Sequence, residues 1–197
     1  MQILFEKQCD YIYTFKLNLP YTNETFVKAL QQETWLPDQA GYAQNSFPTR
    51  CRVRQVQSPI LHEIEQYVEH GEFKSLVLTE LYKNDSFGAI WGVSPDRMDK
   101  MTSIYGIFTK DLPTYNIRIH TDDRMHVVQG MIYFIPADDP DQSTTFYTTF
   151  EGDNPMRIPT GPGLGYVAAN TNNSWHTGKN SSTQDRYSLI FGIRLNL

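Results

Sequence analysis

The chain has 197 residues with 22 acidic and 17 basic side chains, a formal net charge of -5 and a sequence pI near 5.5. Hydrophobic residues make up 40% and charged ones 20%, which excludes a largely disordered chain and suits one domain with its own core. The acidic balance lacks the clustered Lys and Arg needed to neutralise phosphates, and no run approaches the roughly 18 apolar residues of a membrane span, so neither a nucleic-acid nor a membrane partner is expected.

The opening residues include Glu6, Lys7 and Asp10, which interrupt any signal-peptide core. Cys9 and Cys51 lie far apart and form no metal-binding or redox spacing. A reduced, cytoplasmic location is the expectation. A helix is predicted after an Asn23 cap, with Phe26, Val27 and Leu30 on its inner face. Arg50, Arg52 and Arg54 alternate, so they share one face of a strand and read as a solvated face or as the contact for an anion.

The strongest helical period runs over Pro59–His70, where Ile60, Leu61, Ile64, Tyr67 and Val68 recur at three- and four-residue spacing before Gly71. Phe73–Tyr82 is a further predicted helix, and residues 84–99 show no decisive period. Beyond residue 100 the pattern becomes β. Ser103–Phe108, Tyr115–Ile119, Val127–Ile135, Thr144–Phe150, Leu164–Ala169 and Tyr187–Leu195 are rich in β-branched and aromatic residues and are separated by Pro, Gly, Asp and Asn. The expected fold is mainly β with flanking helices: one domain over 1–197, with a helical or mixed support region over 1–100 packed on one sheet of a double-sheet barrel over 101–197.

His120-Thr121-Asp122 places an imidazole and a carboxylate two residues apart, able to present both to one point. Of the five histidines, His62 and His70 fall in or at the end of a predicted helix, leaving His126 and His176 as further ligands. His176, in Ser174-Trp175-His176-Thr177-Gly178, lies far enough beyond Asp122 for the chain to cross a barrel and return, and is the predicted third ligand. Two imidazoles and one carboxylate on one face suit iron(II) oxygen chemistry because the other positions stay open; zinc and manganese fit similar ligands. Arg186 and Ser188 share an i, i+2 relation on the last predicted strand. A guanidinium pointing inward needs an anion, either a ligand carboxylate gripped bidentately or an Asp or Glu on the barrel wall.

His120-x-Asp122, His176 and Arg186-x-Ser188, in this order and spacing, resemble the 2-oxoglutarate/Fe(II)-dependent dioxygenase superfamily. The stretch Asp111-Leu-Pro-Thr-Tyr-Asn-Ile-Arg-Ile-His120-Thr-Asp122, with Val127–Pro136 and Asp185-Arg-Tyr-Ser188, resembles small bacterial and phage members near the prolyl-hydroxylase-like branch. The resemblance covers roughly residues 103–195. It implies a double-stranded β-helix, a distorted jelly roll, with iron on His120, Asp122 and His176. It further implies Arg186 on the distal carboxylate of 2-oxoglutarate, with Ser188, Tyr133 and Tyr115 contributing around that co-substrate. The implied reaction hydroxylates a C–H bond using Fe(II), 2-oxoglutarate and dioxygen, supported by ascorbate, and releases succinate and CO2.

The branch's hallmark tyrosine three residues before the first ligand is replaced here by Ile117, so prolyl specificity does not carry over. The substrate expectation is a small molecule or a peptide, and nothing in the sequence selects an oligomeric state. Trp175 reads as a wall of the metal site or as a core residue, and Pro136–Ser143 as a surface loop. The alternative is a non-catalytic metal- or ligand-binding jelly roll; a cupin-like version would use HxH spacing, which is absent.

Overall fold

A computed structural model describes residues 1–38, 49–135 and 138–196. Its first half contains β1 (Ile3–Cys9), β2 (Ile12–Leu17), α1 (Asn23–Gln32), β3 (Trp35–Pro37), β4 (Arg50–Val53), α2 (Pro59–His70), α3 (Phe73–Tyr82), α4 (Asp85–Trp91) and α5 (Pro95–Met101). The second half contains β5 (Thr102–Asp111), β6 (Tyr115–Asn116), β7 (His126–Tyr133), β8 (Thr144–Tyr147), β9 (Met156–Arg157), β10 (Leu164–Ala169), β11 (Trp175–Asn180) and β12 (Arg186–Leu195). Eight strands form a sheet in the order β1-β2-β10-β7-β12-β5-β4-β3, and four form a second sheet in the order β6-β11-β8-β9. The architecture is the mainly β jelly roll with flanking helices.

The period-two alternation of the strands sorts the core into two layers. Met131 and Tyr133 on β7 and Tyr166 on β10 face inward and meet Phe146 of the smaller sheet, with Phe146 edge-on to Tyr166 at 5.3 Å. Val128 and Ile132 of β7, and Leu189, Phe191 and Ile193 of β12, face outward into the layer shared with the helices. There α2 buries Leu61, Ile64 and Val68, each contributing about 1.5–3 kcal/mol relative to exposure.

The predicted helices over 59–70 and 73–82 form at those bounds. The cap of α1 is Thr22 rather than Asn23, its side chain accepting from the Thr25 N–H. Residues 84–99 resolve into two short helices whose signals are local: Asn84 caps α4, Gly92 ends it at φ +62°, and Ser94 followed by Pro95 opens α5. At seven residues each, they are too short for an apolar period to register.

The larger departure is that the first hundred residues also supply four strands of the eight-stranded sheet. β1 is an edge strand carrying Glu6 and Lys7, and β2 is buried at five of six positions, so neither shows a clean apolar/polar alternation. Three predicted strands shorten, Val127–Ile135 only slightly, ending at Tyr133. Tyr115–Ile119 becomes Tyr115–Asn116, and Thr144–Phe150 ends at Tyr147, where the Thr148 N–H donates to the Asp153 carbonyl to close a turn. Within Pro136–Ser143, residues 136 and 137 lie outside the described residues. Its end is not a surface loop: Gln142 and Ser143 are buried.

Candidate active site

The three predicted metal ligands meet at one point. Ligand atoms of His120, Asp122 and His176 all lie within 4.8 Å of one another. The strand pairing behind this contains an irregularity. Ile117 N–H donates to Gly178 O, but the next pairing joins His120 to His176 instead of Ile119 to His176. One extra residue is therefore accommodated on the β6 side, opposite Thr177, whose hydroxyl donates to the Ile117 carbonyl. Such a bulge re-aims the residues after it, and here they are the first two predicted ligands.

Each imidazole is oriented through its other nitrogen. His120 Nδ1 lies 2.8 Å from the Arg118 carbonyl and His176 Nδ1 lies 3.0 Å from the Ser174 carbonyl. Both Nδ1 atoms therefore carry the proton, leaving the Nε2 lone pairs free to ligate. His120 Nε2 stands 3.8 Å from Asp122 Oδ1, and His176 Nε2 stands 3.8 Å from Asp122 Oδ2. Asp122 Oδ2 is buried with no hydrogen-bond partner among the described residues. Burial pushes the His176 pKa down, and the nearby His120 adds to this while Asp122 opposes it, favouring the neutral ring a metal requires. An orphaned carboxylate oxygen facing two oriented lone pairs fits a divalent cation, and the N₂O donor set fits iron(II).

Residues that spacing did not indicate hold this centre. Asn170 Nδ2 reaches the carbonyls of Asp123 at 2.8 Å and His126 at 3.0 Å, clamping the turn that carries Asp122. Gln129 Nε2 lies 3.4 Å from His176 Nδ1, a contact and not a hydrogen bond while that nitrogen carries its proton toward Ser174. His126, the other histidine left open by the sequence, instead faces Tyr105, with Nε2 3.0 Å from the phenol oxygen. Trp175 neither walls the metal nor enters the core: it lies on the face of β11 opposite His176 and packs edge-on against the exposed Phe150. A cleft of about 670 Å³ lined by Arg118, Thr145, Tyr147, Thr177 and Lys179 is also on that outer face, with the smaller sheet between it and His176.

Arg186 and Ser188 both face inward and are fully buried. The Arg186 anion is a protein carboxylate: Nε lies 3.0 Å from Asp111 Oδ2 and Nη2 bonds the same oxygen. Nη1 donates to the carbonyls of Ser143 and Lys179 at 3.1 and 3.2 Å. Ser188 Oγ lies 2.9 Å from Thr109 Oγ1, and Tyr133 donates to Thr144 Oγ1 at 2.8 Å. Tyr115 is buried beside both Arg50 and Arg186, the guanidinium carbons 4.4 and 5.5 Å from its ring centre. Burial pushes its phenol up to about 12, so it is un-ionised at neutral pH.

No protein-family model matches the chain, and no curated protein matches its sequence. Solved structures match its shape. HygX from Streptomyces hygroscopicus, with nickel, 2-oxoglutarate and hygromycin B bound, aligns at TM-score 0.57 and 10% identity over 94% of this chain and 83% of its own. The chain has the fold of the 2-oxoglutarate/Fe(II) oxygenases. A viral collagen prolyl hydroxylase from Paramecium Bursaria Chlorella virus-1 aligns with this oxygenase fold at TM-score 0.54 and 10% identity, over 96% of this chain and 100% of its own. A Pseudomonas putida prolyl-4-hydroxylase does so at 0.53 and 13%, over 89% and 86%.

Proposed function

We propose that this protein is an iron(II)- and 2-oxoglutarate-dependent oxygenase that hydroxylates a C–H bond of a small-molecule or peptide substrate, releasing succinate and CO2. The observation that carries this reading is the pair of Nε2 atoms 3.8 Å from opposite oxygens of Asp122, of which Oδ2 is buried without a hydrogen-bond partner among the described residues. The oxygenase fold supports it. When bound, iron and 2-oxoglutarate supply the oxidative decarboxylation with dioxygen that places one oxygen atom on the substrate.

In this reading His120, Asp122 and His176 are the metal ligands. The Arg118 and Ser174 carbonyls keep the imidazoles in the ligating tautomer. Arg186 attracts the distal carboxylate of 2-oxoglutarate, with Ser188, Tyr133 and Tyr115 around it. These buried side chains exclude water and keep the local dielectric low, which strengthens the pairing.

One structural neighbour holds hygromycin B and another is named a collagen prolyl hydroxylase, which supports keeping both substrate classes. Ile117 in place of the hallmark tyrosine argues against prolyl specificity. A second reading, a metal- or ligand-binding jelly roll without turnover, draws on Arg186 and Ser188 already having protein partners, Asp111 and Thr109.

The test is anaerobic titration of the full chain with Fe(II) and 2-oxoglutarate, followed by succinate formation in air with ascorbate. A metal-to-ligand absorption band and turnover that vanish in His176→Ala support the oxygenase. Metal binding with no response to 2-oxoglutarate supports the binding module.

A further inference from the structure

Three charged side chains form one transverse row across the inner face of the larger sheet. Arg50 on β4 is the register partner of Asp111 on β5, and Asp111 is the register partner of Arg186 on β12. The Asp111 and Arg186 side chains have no exposed surface, and that of Arg50 is 12% exposed. Arg50 grips both carboxylate oxygens, Nε to Oδ1 at 2.6 Å and Nη2 to Oδ2 at 3.0 Å. Arg186 shares Oδ2 through Nε and Nη2.

Two guanidiniums and one carboxylate leave this row with a surplus positive charge. Burial alone would push the Asp111 carboxyl up, but the two guanidiniums hold it below its ordinary value, so it stays ionised and the surplus is a single charge. An unbalanced buried charge is costly unless a further anion shares the site. Arg186 borders the inner face of the smaller sheet at a residue without a side chain. A Cβ built at Gly178 would be in ordinary contact, 3.5 Å from Arg186 Nη2, 3.6 Å from Ile117 Cγ2 and 3.7 Å from the Tyr115 ring, so the glycine leaves about a methyl group of room beside the guanidinium. Gly178 follows His176 by two residues on β11 and faces the same way.

We propose that Arg50 is a positioning residue for the co-substrate: by pairing with Asp111 it leaves Arg186 the net positive charge that draws the distal carboxylate of 2-oxoglutarate toward the side of Arg186 that faces Gly178. The inference rests on the oxygenase reading and extends it to a residue outside the stretch that carries the motif. Without Arg50, Asp111 would cancel Arg186 and the row would be neutral. With Arg50, Asp111 orients Arg186 at no cost to the charge offered to a ligand.

The test measures 2-oxoglutarate binding by anaerobic calorimetry on the Mn(II)-loaded full chain, with Mn(II) affinity and thermal unfolding recorded for every variant. Arg50→Met is expected to weaken 2-oxoglutarate binding by about tenfold or more, since it removes one charge at short range in a dry site. Arg50→Lys keeps the charge and should hold affinity within about threefold. The double variant Arg50→Met with Asp111→Asn restores the surplus charge through Arg186 alone and should recover most of the loss, a rescue that a purely structural role would not produce. Mn(II) affinity should stay constant throughout.

If Arg50→Met does not fold, Arg50→Gln, which keeps a donor to Asp111 without the charge, makes the same comparison. An Arg50 variant without charge that binds as the parent does, or a double variant as weak as the single, overturns the inference alone. A parent that binds Mn(II) but no 2-oxoglutarate overturns the oxygenase reading and this inference with it.

Discussion

His120 and His176 exchange both of their backbone hydrogen bonds, at 3.0 and 2.9 Å, as partners in an isolated antiparallel bridge. That pairing holds their rings 4.3 Å apart between centres, with Asp122 supplied by the turn just after His120. The candidate metal site is thus a cross-strand pair plus one residue. If His176 is a ligand, as proposed, His176→Ala should lower Fe(II) or Mn(II) affinity by more than the roughly 10–100-fold that follows loss of an outer partner. Calorimetric metal titration measures it, and unaltered affinity would remove His176 from the ligand set.

Asn170 is such an outer partner. Its amide bonds the carbonyls of Asp123 and His126, and Ser174 Oγ in turn donates to its side-chain oxygen. Asn170→Ala frees the turn that presents Asp122, and metal affinity should fall by about 10–100-fold while the far-ultraviolet circular dichroism stays that of the parent. An Asn170→Asp variant, which keeps the shape but not the amide donors, should behave like the alanine.

Gly178 is predicted to act on the co-substrate and not on the metal. Alanine there meets its neighbours at ordinary contact, 3.5–3.7 Å, so Gly178→Ala should be nearly silent. Gly178→Leu exceeds that methyl-sized room and crowds Arg186 and Tyr115, and should raise the Kd for 2-oxoglutarate by about tenfold or more, with Mn(II) binding retained. Equal loss of both ligands would mean that the substitution disturbs the strand.

Asp111→Asn leaves two buried guanidiniums facing each other and should cost about 3–5 kcal/mol, the usual penalty for breaking a buried ion pair from one side. Because the folded-state pKa of Asp111 is depressed, its contribution is fully present above the unfolded carboxyl value of about 4 and is lost as pH falls through the lower, folded value. Urea unfolding at pH 7 and again between about pH 4 and pH 2 should show the parent losing this increment in acid. The Asn variant, already without it, should have a flatter profile.

Gly130 tests the packing beneath the site. A Cβ there would fall 2.2 Å from the Phe191 ring and 2.3 Å from the Tyr166 carbonyl. The ring can turn, but the carbonyl belongs to the neighbouring strand and cannot move without breaking the ladder between β7 and β10. Gly130→Ala should therefore destabilise the fold by about 1–3 kcal/mol or more, read as a shift in the urea midpoint at unchanged slope.

The sequence by itself determined the β class of the second half, the helices over 59–70 and 73–82, and the three side chains that converge as a candidate metal site. These follow from local chemistry: alternation, helical period and the scarcity of histidines. The tertiary structure alone decided the rest. β2 and β4 join the sheet because β10 and β5, far along the chain, satisfy their backbone groups, β1 and β3 then add on as the two edges, and an edge strand with charged residues carries little local signal. The single-residue irregularity before His120 depends on what lies across from it on β11. Arg186 illustrates the limit most plainly. Its burial and need for an anion were legible, with a wall carboxylate or a ligand both open, but a guanidinium's partner is chosen by register. Only the alignment of β4, β5 and β12 places Asp111 between Arg186 and Arg50.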